Sequence, residues 1–177
     1  ELQRHFVHSY IDQVGFEREN SVPNGVYETS IVPFVYNHEK IEGSSLTEWQ
    51  TRTIFETRDT VLSDSTTPGN VRETANHTKM FDFLFDSLDR DLTPELIQEI
   101  HLQLMDGVMD VPGQWKVLGN GVGSVITARS EEVPSLIDRL VSEYNKFEPS
   151  LENVVRFHVR FETIHPFPDG NGRVGRA

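Results

Sequence analysis

Apolar residues return every three to four positions through most of this 177-residue chain, the spacing of helices that bury one side. The stretch HFVHSYIDQV, from His5, is loosely amphipathic and predicts a short helix. Val22-Pro23-Asn24-Gly25 closes it with a turn. A second helix is predicted from Ser30 to Glu42, with Pro33 in its first turn. Val32, Val35, Tyr36 and Glu39 share one side, and Gly43 stands where a left-handed glycine ends a helix. Thr47-Glu48-Trp49-Gln50 reads as a capping box for a helix to about Glu56, with Trp49, Thr53 and Ile54 inward. Asp59 to Gly69, rich in Thr, Ser and Asp, reads as a loop.

The next helix is expected from about Asn70 to Leu88, with Phe81, Phe83, Leu84, Phe85 and Leu88 as its core side. Thr93 and Pro94 are a cap and first residue, with Leu92 and Ile97 as a staple. Leu96, Ile97, Ile100 and Leu104 continue the apolar stripe, and His101 beside it reads as structural. Pro112 to Lys116 ends the helical run. In Val117 to Thr127, VLGNGVGSVIT, glycines alternate with apolar residues. No lysine follows in the phosphate-loop pattern, so a β-hairpin is the better reading. Pro134 opens a helix carrying Leu136, Ile137, Leu140, Val141 and Tyr144. Ser150 caps the last full one, carrying Leu151, Val154, Val155, His158 and Phe161.

Composition narrows the function classes. A net charge of −12 disfavours a nucleic-acid-binding role, because the phosphate backbone calls for a basic surface. Cysteine is absent, which removes disulfides, thiolate metal sites and a cysteine nucleophile. No apolar run approaches the roughly 20 residues that span a bilayer, and no signal peptide is visible. A cytoplasmic protein with no membrane partner is expected. The length suits one domain with a sizeable core.

The candidate chemistry is concentrated in HPFPDGNGRVGR, His165 to Arg176. His165 can be a neutral base near pH 7. Asp169 is a hard oxygen ligand suited to Mg²⁺. Gly170, Asn171 and Gly172 can turn sharply, bring backbone amides to an anion and open a helix. Arg173 and Arg176, three apart, share a helix face, and guanidinium forks suit phosphate oxygens. These are the parts for displacement at a metal-bound polyphosphate. A lone GNG is just a turn, and a lone histidine is more often a core residue. Eight fixed positions together arise by chance at about 10⁻¹⁰ for residue frequencies of roughly 5%. A rival zinc set of Glu162, His165 and Asp169 offers too few nitrogen or sulfur ligands.

Glu42 sits at a predicted helix C-terminus, where the macrodipole disfavours an anion by a few tenths of a kcal/mol. A carboxylate there wants a cationic partner; an ordinary exposed glutamate is the plainer reading.

The stretch from His165 resembles the Fic family signature, His-Pro-Phe-x-(Asp/Glu)-Gly-Asn-Gly-Arg-x-x-Arg, at every defined position. Phe161, Glu162 and Ile164 before it are also as the family has them. The resemblance implies AMP transfer from ATP to a protein hydroxyl. His165 would be the base, and Asp169 would hold Mg²⁺ between the α- and β-phosphates. The amides of Gly170, Asn171 and Gly172 would cradle the phosphates. Arg173 would bind the β-phosphate, Arg176 the γ-phosphate, and Phe167 would anchor the loop. The Doc-like kinases of the superfamily carry Lys where this chain has Gly172, which speaks against that branch. HEKIEGSSLT resembles the family's N-terminal inhibitory motif through Ile41, Glu42, Gly43, Leu46 and Thr47. It departs at His38, where Ser or Thr is preferred, and at Ser44, where Asn is common. By resemblance, Glu42 would pair with Arg176 and block the γ-phosphate.

The family also has a GxxR-like segment, here with Lys116 for Arg, and then a hairpin flap that lines up a target by β-augmentation. Gly121, Val122 and Gly123 would be flap residues. The expected fold is all-α, a Fic-type helical bundle with one small β-hairpin. An N-terminal extension would cover residues 1–29 and a Fic domain 30–177, with the inhibitory helix at about 30–43 and the motif at 165–176. Family members continue beyond this point, so the chain reads as a fragment lacking C-terminal helices. The implied function is a protein adenylyltransferase restrained by Glu42, with ATP as substrate, Mg²⁺ as cofactor and a target protein on the flap. Inhibition could act within one chain or across a homodimer. Two alternatives stand beside it: a de-AMPylase in which Glu42 orients a water, and a non-catalytic protein-binding module.

Overall fold

The structure, a computed structural model, describes residues 2–57, 68–122, 125–148 and 150–177. The chain forms two compact units, Glu1–Phe85 and Asp86–Ala177. Both are helical. No helix among the described residues is long and apolar enough to cross a membrane.

The first unit contains α1 (Leu2–Glu19), α2 (Val26–Ile41), α3 (Glu48–Thr57) and α4 (Pro68–Asp86). Its core gathers Val14, Tyr27, Ile31, Val32, Val35 and Phe55, with Phe81 and Phe85 half-buried against them. Burying an apolar side chain of this size is worth roughly 1.5–3 kcal/mol. A smaller cluster joins Leu46 and Ile54 to Val71 and Ala75.

α2 begins four residues before the predicted Ser30, and the reason lies in α1. The Glu17 carboxylate accepts the Tyr27 N–H at 2.8 Å, doing what a cap side chain normally does. Gly25, at the cap position, supplies none, and a Cβ there would collide with that carboxylate. The Tyr27 amide, helped by Gln13, holds the Glu17 carboxyl below the usual carboxylate range. Pro33 therefore falls inside the helix, where it removes one intrahelical hydrogen bond. At the other end the prediction fits. Gly43 has φ +90, Ser44 N–H reaches Glu39 O at 2.9 Å and Gly43 N–H reaches Lys40 O at 3.1 Å, the Schellman pattern.

The α3 capping box is present: Gln50 N–H donates to Thr47 Oγ1 at 3.2 Å and Thr47 N–H to Gln50 Oε1 at 2.8 Å. Trp49, predicted inward, is 71% exposed. It lies five positions before Ile54, about 140° round the helix, so both cannot face one core; Thr51, Ile54 and Phe55 are the buried side. The predicted loop 59–69 falls mostly outside the described residues, and Pro68 and Gly69 already belong to α4. In α4 the expected aromatic side is only half-buried and Leu88 is exposed, whereas Thr74, Asn76, His77 and Thr78 are buried.

The second unit contains α5 (Pro94–Met105), α6 (Val133–Tyr144), α7 (Leu151–Ile164) and α8 (Asn171–Gly175), with a 3₁₀ turn at Ser130–Glu132. Thr93 Oγ1 caps α5 by accepting Leu96 N–H at 3.1 Å, and Ser150 Oγ caps α7 through Asn153 N–H at 3.2 Å. α6 packs along α7, and α8 folds back against α7 and α5. The predicted hairpin flap is not seen as such. Strand pairing among the described residues is confined to β1 (Gly121–Val122) and β2 (Val125–Ile126), antiparallel and two residues each. The stripe of α7 also departs from expectation: Leu151, Val154 and Val155 are 80%, 48% and 52% exposed, and only Phe161 and Ile164 are buried.

Candidate active site

α7 ends by delivering His165. The residue sits in the left-handed region, φ 51 and ψ 63, with its N–H on Phe161 O at 2.8 Å. This conformation costs a non-glycine residue about 1–2 kcal/mol, so it persists only where the surroundings impose it. Just beyond it, the carbonyl of Pro166 accepts the Lys116 amide N–H at 2.8 Å. The carbonyl of Phe167 accepts both Asn120 Nδ2 and Asn171 Nδ2 at 2.8 Å, and Phe167 N–H donates to Asn171 Oδ1 at 2.8 Å. The Asn171 side chain thus closes the loop on itself. Phe167 is fully buried, with Trp115 at 4.8 Å and His101 stacked at 3.8 Å between ring centroids.

His101 links this anchor to the acid of the loop. Its Nδ1 accepts Gly113 N–H at 2.7 Å, so its proton is on Nε2, which donates to Asp169 O at 3.1 Å. Burial, with the Arg173 charge pushing the same way, lowers its pKa to about 4 against smaller opposing effects from Asp169. His101 is therefore neutral at physiological pH, consistent with the structural role read from its position.

Gly170 turns the loop into α8 at φ +73, and a Cβ there would stand 3.1 Å from Met105 Sδ. Its N–H donates to Asp169 Oδ1 at 2.7 Å, and the Asp169 side is exposed. Asn171, Gly172 and Arg173 occupy the first positions of α8, whose N–H groups have no intrahelical acceptor. Arg173 is 2% exposed and Arg176 half-buried. α8 lies directly on α7: His158 Nδ1 donates to Gly175 O at 2.7 Å, and a Cβ on Gly175 would meet Phe161 at 3.0 Å.

The His165 Nδ1 lies 3.7 Å from Glu162 Oε2, too far for a hydrogen bond. Among the described residues, Nδ1 and Glu162 Oε1 are buried with no hydrogen-bond partner. The rival metal set of Glu162, His165 and Asp169 gains no support, since no group of three or more His, Cys, Asp or Glu among the described residues is placed to hold an ion.

Residues 91–177 match the family model described as Fic/DOC family. These residues form a Fic/DOC family domain. It is 51% identical over 47 residues to the "Probable protein adenylyltransferase" of Aquifex aeolicus, covering 25% of this chain and 14% of that one. It is 30% identical over 149 residues to the "Protein adenylyltransferase Fic" of Drosophila sechellia, covering 80% of this chain and 30% of the relative. A crystal structure of a Fic domain containing signaling protein from Bacteroides thetaiotaomicron superposes with a TM-score of 0.75 at 25% identity, over 94% of this chain and 70% of that one. The chain thus spans less than a third of the length of these two curated relatives.

Within the Fic domain the structure brings His165, Asp169, Gly170, Asn171, Gly172, Arg173 and Arg176 onto one helix end, loop and helix start. Glu42 is the exposed C-cap of α2 in the first unit. Gly121 and Val122 form β1, and Gly123 lies outside the described residues. Sequence reasoning missed the loop-closing side chain of Asn171 and the contribution of Asn120, which stood inside a glycine-rich stretch read as a β-hairpin. Lys116 stood out merely as a replacement for arginine.

Proposed function

We propose that this Fic chain is a protein adenylyltransferase: it transfers AMP from ATP to a Ser, Thr or Tyr hydroxyl of a target protein. The observation that carries the reading is the assembly of base, carboxylate, helix-opening amides and two guanidinium groups on the short segment from His165 to Arg176. The curated relatives are named for this activity.

In the reaction the target's hydroxyl oxygen bonds to the α-phosphorus in line, and the bond from that phosphorus to the β-bridging oxygen breaks. Pyrophosphate leaves, and the hydroxyl proton passes to His165. A proton on Nδ1, on the side of the Glu162 carboxylate, leaves Nε2 as the accepting lone pair. The amides of Asn171 and Gly172, with Arg173 and Arg176, hold the phosphates and offset charge on the departing group. Asp169 fits Mg²⁺: it is exposed and a hard oxygen donor, with Oδ1 used by the Gly170 amide and Oδ2 left to bind. Mg²⁺ commonly takes one or two carboxylates and completes its shell with substrate phosphates and water. When bound there it would neutralise polyphosphate charge. Glu42 restrains the reaction by pairing with Arg176 and denying it to the γ-phosphate. Gly121 and Val122, in β1, would offer their backbone to that of the target.

ATP labelled at the α- or at the γ-phosphate distinguishes the reactions. The proposal predicts Mg²⁺-dependent labelling of protein from α-labelled ATP alone. Label from γ-labelled ATP would identify phosphoryl transfer instead, and label from neither would favour the binding-module reading.

A further inference from the structure

Lys116 is 3% exposed, and its partners are unusual for a buried ammonium. Its three hydrogens meet three acceptors: Asn120 Oδ1 at 2.6 Å, Thr127 Oγ1 at 2.9 Å and Ile164 O at 3.2 Å. All three are neutral. Desolvation pushes the Lys116 pKa below the usual lysine value, and taking an ammonium out of water costs several kcal/mol. An apolar side chain would fill this space without that cost, so the contacts themselves need a reason.

That reason is their placement around His165. The Lys116 side chain holds the carbonyl of Ile164, immediately before His165, and its backbone N–H holds the carbonyl of Pro166, immediately after it. One residue therefore holds the carbonyl groups of the residues on either side of His165, whose own backbone is left-handed. Asn120 carries the grip one residue further, from Lys116 Nζ through its amide to Phe167 O at 2.8 Å. Asn120 precedes β1 and Thr127 follows β2, and Thr127 Oγ1 lies within hydrogen-bond distance of Asn120 O at 2.8 Å. Lys116 Nζ thus ties both stems of the β1–β2 segment to the backbone of His165.

We infer that Lys116 is a positioning residue that fixes the backbone conformation of His165 and couples it to the β1–β2 segment. The kinetic consequence rests on the adenylyltransferase reading; the structural one does not. A misplacement of a reacting group by about 1 Å can cost on the order of 10²-fold in rate, and the carbonyls that Lys116 holds are those next to the base.

The test uses the whole chain as wild type, Lys116→Met, Lys116→Arg and Thr127→Val. The first readout is the His165 Cε1–H resonance, assigned through His165→Ala, with His77 of the first unit as internal control. Lys116→Met is expected to move the His165 resonance and leave that of His77 in place. Lys116→Arg, which keeps the donors, returns it toward the wild-type position. The second readout is α-label transfer: kcat falls on the order of 10²-fold in Lys116→Met with KM for Mg-ATP unchanged, and Lys116→Arg recovers most of it. A folded Lys116→Met with an unmoved His165 resonance would overturn the inference. If Lys116→Met does not fold, Thr127→Val decides, with a moved resonance supporting the inference and an unmoved one refuting it. The transfer readout is taken with Glu42→Gly added to each chain; absence of transfer in all of them, with the resonance moving as expected, would refute the activity and leave the positioning role standing.

Discussion

The imidazole of His101 lies flat on the ring of Phe167, 3.8 Å between centroids and 3° between planes. Its two nitrogens are committed to Gly113 N–H and Asp169 O, which requires the neutral ring. The folded pKa is about 4 against an ordinary 6.5, chiefly through burial. The unfolded chain therefore binds more protons between these values, and stability rises with pH across that window. The contribution is fully present above about pH 6.5 and lost as pH falls toward 4, amounting to about 3 kcal/mol at ~1.4 kcal/mol per unit. Urea denaturation from pH 7 to pH 4 should show this slope, and His101→Gln, which can accept and donate in the same places, should flatten it.

Gly170 and Gly119 form a matched pair. At Gly170 a side chain meets both a left-handed backbone and Met105, whereas at Gly119 nothing lies within 4 Å. Gly170→Ala should destabilise the chain by about 1–2 kcal/mol from the backbone alone, and Gly119→Ala by no more than about 0.5 kcal/mol. Thermal denaturation of the two variants side by side measures the difference.

Asn171, 1% exposed, both donates to and accepts from Phe167. Asn171→Asp keeps the acceptor, replaces the donor with a lone pair facing Phe167 O, and buries a charge. The expected loss is about 3 kcal/mol, larger at pH 7 than at pH 4, where the carboxyl can be protonated and donate again. A shift in denaturation midpoint independent of pH would contradict this account of the loop.

In the first unit, His77 Nδ1 and Glu39 Oε1 meet at 2.8 Å with both side chains buried, joining α4 to the helix that carries Glu42. Removing one member takes a hydrogen-bond partner from a buried polar group, at a cost of about 1–3 kcal/mol. His77→Leu should cost that much despite its greater hydrophobicity, measured by chemical denaturation. A neutral or stabilising effect would show that the pair contributes no net stability.

The features that could be read from sequence are those whose partners are close in the chain. Thr93, Ser150 and the Thr47–Gln50 box bond to groups three residues away, and the motif's chemistry occupies consecutive residues. Features set by distant partners could not be read. The start of α2 depends on the Glu17 carboxylate of another helix, and the buried His77 of α4 meets Glu39 of α2. The acceptors of Lys116 come from Asn120, Thr127 and Ile164, and no local pattern of hydrophobicity encodes their meeting. The α7 stripe is a different case, because periodicity reports the shape of an apolar face and not what covers it. In the structure Val154, Phe157 and Phe161 line an open cavity of about 310 Å³ with Ile97, Ile100 and Val174.

The most direct test of the proposed activity compares protein labelling by α-labelled Mg-ATP in wild type, Glu42→Gly and the double variant Glu42→Gly/His165→Ala. A transferase run by His165 and restrained by Glu42 predicts weak labelling in the first, strong labelling in the second and none in the third. Labelling of the double variant at the level of Glu42→Gly would contradict it.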